Sequence, residues 1–108
     1  IALDTFPYNG VTTTFEALWS GVPVITMKGF NINSRCGESI LKNANLEHLI
    51  SLDKSDYLKI ALYYSNNLKE LYDLRTEIHK NIINTTLFDS KKFSNDFQNK
   101  IIDVYKKK

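Results

Sequence analysis

The first apolar run, Ile1-Ala2-Leu3, stops at Asp4. Pro7 and the pair Asn9-Gly10 punctuate the next stretch, so Asp4 to Val11 reads as a loop. Phe15, Leu18 and Trp19 then recur at helical spacing. This predicts a helix from about Thr13 to Ser20 with those three side chains on its buried face. Gly21 is placed to end the helix in a left-handed conformation. Pro23 to Met27, PVITM, is apolar, rich in β-branched residues and bounded by proline and glycine. It reads as a strand buried on both faces, as in a parallel sheet. Strand, helix and strand joined by short loops make a βαβ unit.

The next loop is KGFNIN, and a second helix is expected from about Ser34 to Lys42, with Asn33 or Ser34 as its cap. Ile40 and Leu41 supply its apolar contacts, and NAN breaks it. A third short strand is expected near Leu49 to Ser51. Beyond it the chain turns helical: Leu58, Ala61, Leu62, Leu68, Leu71, Tyr72, Leu74 and Ile78 keep a helical rhythm, with a bend at SNN. INTTLFDS interrupts it. Asp89 or Ser90 then caps a last helix whose Phe93, Phe97, Ile101 and Tyr105 line one face. The fold class is therefore α/β: a small parallel sheet with flanking helices over residues 1–52, and a helical segment over 53–108. The chain opens on Ile, already inside an apolar run, as expected of a fragment whose missing strands continue the sheet.

Composition narrows the function classes. A chain of 108 residues, 43% hydrophobic and 12% aromatic, suits one globular domain rather than a disordered one. With 14 basic and 12 acidic residues the formal charge is +2, too balanced to argue for nucleic acid or a membrane surface as partner. The basic excess sits mostly in the closing YKKK. A single cysteine, Cys36, forms no internal disulfide and fits a reducing, cytoplasmic setting as a small, partly buried apolar residue. Neither a membrane-spanning stretch nor a signal peptide is visible.

The loop TFPYNGVTTT is the segment with chemistry to offer. In open parallel sheets ligands sit beyond the carboxyl ends of strands, near helix N-termini. A helix N-terminus presents unpaired N–H groups and a partial positive charge, and both suit phosphate. Gly10 allows close backbone approach, and Thr12 and Thr13 add hydroxyls, so an anionic ligand such as a diphosphate is the candidate. The alternative is purely structural: Thr13 and Glu16 have capping-box spacing, with Gly10 merely making a turn. The glycines match neither the dinucleotide fingerprint nor the phosphate loop ending in Gly-Lys-Ser/Thr. No Asp-x-Asp motif and no His/Cys cluster is present, so neither a metal nor a cofactor is expected. His48 and His79 read as surface or packing residues.

LDTFPYNGVTTTFEALWSGVPVITMKG resembles the donor-binding segment of the O-linked N-acetylglucosamine transferases, a group that includes the SPINDLY proteins. The resemblance continues through NSRCGESIL, similar to that family's Ser-Arg-x-x-x-Ser-x-Leu helix, then NLEHLI and TTLFDSKKFSNDFQNKI, and so covers nearly the whole chain. It implies a GT-B architecture, two Rossmann-like domains across a cleft, with this chain the C-terminal half of the C-terminal, nucleotide-sugar-binding domain. It implies a transferase that moves N-acetylglucosamine from UDP-GlcNAc to Ser/Thr hydroxyls of a protein acceptor, in a parent carrying tetratricopeptide repeats and needing no metal. Carried over by residue, Thr12 and Thr13 match the threonines facing the donor diphosphate. Glu16 matches an acidic position, usually Asp, that takes the ribose hydroxyls, and Asn9 and Gly10 match the loop before them. Val11 stands where many members have His, and an apolar side chain donates nothing to phosphate or sugar. Arg35 matches a family arginine, whose alternative role is an ion pair with Glu38. Retaining GT-B enzymes carry two glutamates with seven residues between them; the partner position of Glu16 is Tyr8, which favours the inverting group.

The resemblance also places the leaving-group lysine and the acceptor groove outside this chain, so the isolated chain is expected to be inactive in transfer. Two other readings stand beside it: a non-catalytic scaffold or partner-binding module, and a relative that uses GDP-fucose or UDP-glucose. If the first strand lies at an open sheet edge, its unpaired backbone groups invite a second chain. Sedimentation over a wide concentration range is then expected to show dimers; monomer throughout would count against it.

Overall fold

The computed structural model describes residues 1–108 and places a parallel sheet in the N-terminal half. Its strands are β1 (Ala2–Leu3), β2 (Val24–Met27) and β3 (Ile50–Ser51), in the order β1-β2-β3. Ala2 and Leu3 pair with Val24 and Ile25; Thr26 and Met27 pair with Ile50 and Ser51. The most apolar strand thus becomes the central one. Val24 joins the main hydrophobic cluster, and Ile25, turned to the opposite face by strand alternation, is just as fully buried. Covering on both faces is the normal condition of a parallel sheet.

Helix α1 (Thr12–Trp19) connects β1 to β2, and α2 (Cys36–Asn43) lies between β2 and β3. The helical segment comprises α3 (Lys54–Asn66), α4 (Leu68–Asn81) and α5 (Ser90–Lys106), with tight 3-10 turns at Ile82–Asn84 and Thr86–Phe88 before α5. Leu18 of α1, Val24 of β2, Ile40 and Leu41 of α2, Leu49, and Leu74 and Ile78 of α4 belong to one buried cluster. Sheet and helical segment therefore share a single core. Gly21 ends α1 with φ of 73°, as its position predicts. Asn45, with φ of 59°, turns the chain after α2.

Helix α2 lies close against β2 because residue 37 has no side chain. A Cβ on Gly37 would stand 2.1 Å from Thr26 Oγ1 and 2.6 Å from Asp4 Oδ2. Both atoms are fixed inside the fold, so neither has room to retreat.

Several sequence expectations are corrected. Helix α1 begins at Thr12, one residue early, and Trp19 is 53% exposed, resting edge-on against Phe88 instead of entering the core. Helix α2 begins at Cys36 after Arg35 and has no side-chain cap. Ser34 is instead folded back onto Asn31, accepting from its N–H while Asn31 Oδ1 accepts from Ser34 N–H. The helical break falls at Asn67, within the expected SNN. Leu58, Leu62, Leu68 and Tyr72 lie mostly on exposed surface, because Ile60 and Tyr64 of α3 and Leu74 and Ile78 of α4 form the side that meets the core. Asp89 caps α5 by accepting from Lys92 N–H, as expected. The Phe93, Phe97, Ile101 and Tyr105 face, however, meets no core at all.

Replacing Gly37 with Ala is expected to destabilise the fold by about 3 kcal/mol, the upper range of overpacking penalties. Urea unfolding of the two proteins checks this.

Candidate functional site

The loop between β1 and α1 is held from below by Asp4. Its side chain is buried, with one oxygen turned to the loop and the other to the sheet. Gly10 N–H donates to Oδ1 at 2.8 Å, and the Thr26 hydroxyl donates to Oδ2 at 2.7 Å. Asn9 is the second pin: its Nδ2 donates to Thr5 O at 2.8 Å and its Oδ1 accepts from Gly37 N–H at 3.0 Å. Asn9 N–H donates to Asn33 O, which ties the loop to the segment after β2. Thr14 is buried and its hydroxyl donates to Gly10 O. From α3, Tyr57 Oη donates to Asp4 O at 2.8 Å while its ring meets Phe6 edge-on. Burial first, and the Asp4 charge second, push the Tyr57 phenol upward.

Above these pins the helix start is bare. Val11 occupies the cap position, and no side chain caps the helix. The N–H groups of Thr12, Thr13 and Thr14 have no acceptor, the first helical bond being Phe15 N–H to Val11 O. The capping-box alternative is thereby overturned: with Val11 as cap, the third helical residue is Thr14, and Glu16 lies beyond reach of the cap amide. Glu16 is exposed and enters none of the ion pairs. Thr12 and Thr13 are exposed as well and stand four and three residues before Glu16, so all three share one strip of the helix surface. A cavity of about 230 Å³ opens beside them, lined by Asp4, Thr5, Gly10 and Thr13 among others. A larger cleft of about 460 Å³ lies away from this loop, between Phe15, Ile40, Phe88 and Phe93. It is largely apolar, and its one carboxylate, Asp89, is spent on capping α5.

Of the residues singled out from sequence, Thr12, Thr13 and Glu16 are thus brought together and free. Asn9 and Gly10 lie beneath them with their donors already engaged, and they shape the loop. Val11 is exposed. His79 stands against Gly21 at the far end of α1, and His48 is exposed in a 3-10 turn. Sequence reasoning passed over Asp4, Thr26, Gly37 and Tyr57. The available signals were an acid ending an apolar run, a threonine inside a buried strand and a glycine in a helical first turn.

Next to this loop, Glu38 of α2 is buried among three cations. Arg35 Nε lies 2.9 Å from it, Lys42 Nζ 2.8 Å and Lys28 Nζ 3.4 Å. Arg35 therefore takes the ion-pair role that sequence left open. Hydrogen bonds from Arg35 and then Lys42 pull the Glu38 carboxyl from 4.5 down to about 2, outweighing the opposing effect of burial.

With this geometry established, relatives give the chain its lineage. A family model described as Glycosyl transferase family 41 matches residues 1–97. The chain belongs to glycosyl transferase family 41. A probable UDP-N-acetylglucosamine–peptide N-acetylglucosaminyltransferase SPINDLY of Eustoma exaltatum subsp. russellianum is 38% identical over 98 residues, 91% of this chain and 11% of that protein. A UDP-N-acetylglucosamine–peptide N-acetylglucosaminyltransferase of Caenorhabditis elegans is 28% identical over 99% of this chain and 9% of that protein. A solved mutant of the Thermobaculum terrenum O-GlcNAc transferase superposes with a TM-score of 0.78 at 36% identity, covering 99% of this chain and 20% of that one. The chain thus spans about a tenth of the length of these curated relatives. The expected family and the α/β fold class are both borne out. No helix is long and apolar enough to cross a membrane.

The Glu38 cluster predicts a pH dependence. Its folded value lies below its unfolded one, so its stabilisation is complete above about pH 4.5 and is lost as pH falls toward about 2. The partner cations are 40%, 49% and 55% exposed, and solvent screens them. Glu38→Gln is therefore expected to cost only about 1–2 kcal/mol at neutral pH. Urea unfolding across the acid range should show the two proteins converging as pH falls.

Proposed function

We propose that this chain is the donor-binding part of an inverting glycosyltransferase that moves N-acetylglucosamine from UDP-GlcNAc to Ser/Thr hydroxyls of a protein acceptor. The observation that carries this reading is the uncapped start of α1. Three N–H groups at Thr12–Thr14 lack acceptors there, beyond the carboxyl end of a parallel strand, with exposed Thr12 and Thr13 hydroxyls beside them. A diphosphate supplies the missing acceptors and meets the positive end of the helix dipole. Glu16, one turn further on, takes the ribose hydroxyls. Asn9 and Gly10 act through the shape of the loop.

The same contacts serve the reaction. As the sugar departs, negative charge grows on the diphosphate, and fixed N–H dipoles stabilise that charge without reorganising. This chain's residues do that through the backbone of Thr12–Thr14 and the two hydroxyls, with no metal required. The family membership and the peptide N-acetylglucosaminyltransferase names of the relatives support the transfer class and a protein acceptor.

Titration of isotopically labelled protein with UDP, and separately with GDP, is expected to move the amide signals of Gly10–Glu16, with UDP the tighter ligand. Tighter GDP binding would assign a guanosine donor instead. Millimolar UDP and GDP that leave both this chain and the intact polypeptide unshifted would sink the donor-site reading. The isolated chain with donor and acceptor peptide is expected to transfer no sugar.

A further inference from the structure

Asp4 is 8% exposed, its Oδ1 lies 2.8 Å from the Gly10 nitrogen of the candidate loop, and it lines the cavity beside Thr13. Each of its oxygens accepts one hydrogen bond, Oδ1 from the Gly10 N–H and Oδ2 from the Thr26 hydroxyl. Gly37 closes on it so tightly that a Cβ there would come within 2.6 Å of Oδ2. The carboxylate is therefore a bridge between the central strand, the second helix and the loop. By taking the Gly10 N–H, it leaves the free amides to start just after Gly10, at the cap residue Val11, and to run into the first turn of α1. The strand end that carries Asp4 is anchored in turn by Tyr57, whose hydroxyl donates to Asp4 O from α3, 53 residues away. Tyr57 is the one side chain of α3 that hydrogen-bonds this loop.

We propose that Asp4 is a positioning residue for the diphosphate cradle, and that Tyr57 holds Asp4 in place for that task. The proposal rests on the donor-site reading of Thr12–Thr14 given above. Neither side chain touches the donor. Asp4 fixes where the loop turns into the helix, and so fixes the direction of the free N–H groups. Tyr57 makes that direction depend on the docking of α3.

The test measures calorimetric binding of UDP and GDP to the intact polypeptide, together with melting of the unliganded protein. Tyr57→Phe keeps the ring against Phe6 and removes only the hydroxyl. It is expected to weaken nucleotide binding about two- to fivefold, the worth of one hydrogen bond, with the melting temperature within about 2 °C of the parent. Asp4→Ala is expected to weaken binding about tenfold or more, since small misplacements of positioning groups are costly. Asp4→Asn keeps an acceptor for Gly10 N–H and an amide that donates to the Thr26 oxygen, and is expected to recover most of that loss. A merely structural role would move melting and binding together and leave Tyr57→Phe with parental affinity. Parental affinity in Tyr57→Phe and in a folded Asp4→Ala would overturn the proposal while leaving the donor site intact. If Asp4→Ala does not fold, Tyr57→Phe decides alone. Failure of the parent itself to bind either nucleotide would instead remove the donor site, and this proposal with it.

Discussion

A carboxylate buried at the end of a strand must find donors for both of its oxygens, or the fold bears the cost of an unpaired charge. Asp4 finds one in the loop, at Gly10, and one in the sheet, at Thr26. The arrangement around the candidate site depends on that bridge. Thr26 must be a hydroxyl inside an otherwise apolar strand. Gly37 must lack a side chain, because the bridge occupies the space where one would stand. Asn9, buried beside it, must be an amide with both ends engaged, one holding Thr5 and the other the N-terminal turn of α2. These groups saturate one another, and no buried side-chain nitrogen or oxygen is left without a partner.

The saturation below makes the open helix start above informative. A helix start can be closed by its own side chains, and the Thr13–Glu16 spacing offers that possibility. Instead the chain places Val11, which has no acceptor, at the cap position, and leaves the first-turn amides open. The absence of a side-chain cap costs about 1 kcal/mol in ordinary helices. Here it leaves donors available to an anion at the edge of the sheet where α/β proteins bind ligands. The Glu38 cluster shows the contrasting use of charge. Its carboxylate gathers Lys28, Arg35 and Lys42 into a structural tie between α2 and the segment after β2, so Arg35 is already committed.

Much of this was legible in the sequence. PVITM declared the central strand, Gly21 the end of α1, and Asp89 the start of α5, because each depends on local stereochemistry. The match of LDTFPYNGVTTTFEALWSGVPVITMKG to a transferase family was legible for the same reason, as a long run of types and spacings. Residue-level roles within that segment were less so. Asn9 and Gly10 stand in the candidate loop, but whether they face outward or the interior depends on Asp4 and Gly37. Trp19 has the spacing of a core residue and is nevertheless half exposed, because Phe88, from the far end of the chain, covers only part of it.

The sequence by itself determined the alternation of strand and helix, the helix-ending glycine and the apolar rhythm, since φ preferences and side-chain periodicity are properties of neighbouring residues. Tertiary structure alone decided which faces found a partner. The Leu74 and Ile78 side of α4 reached the core, whereas the equally regular Phe93, Phe97 and Ile101 face of α5 did not. It alone decided that Tyr57 would meet Asp4 and that the Glu38 carboxylate would collect three cations. Periodicity states that a face is apolar or that a charge is present. Only packing brings groups 53 residues apart within 2.8 Å.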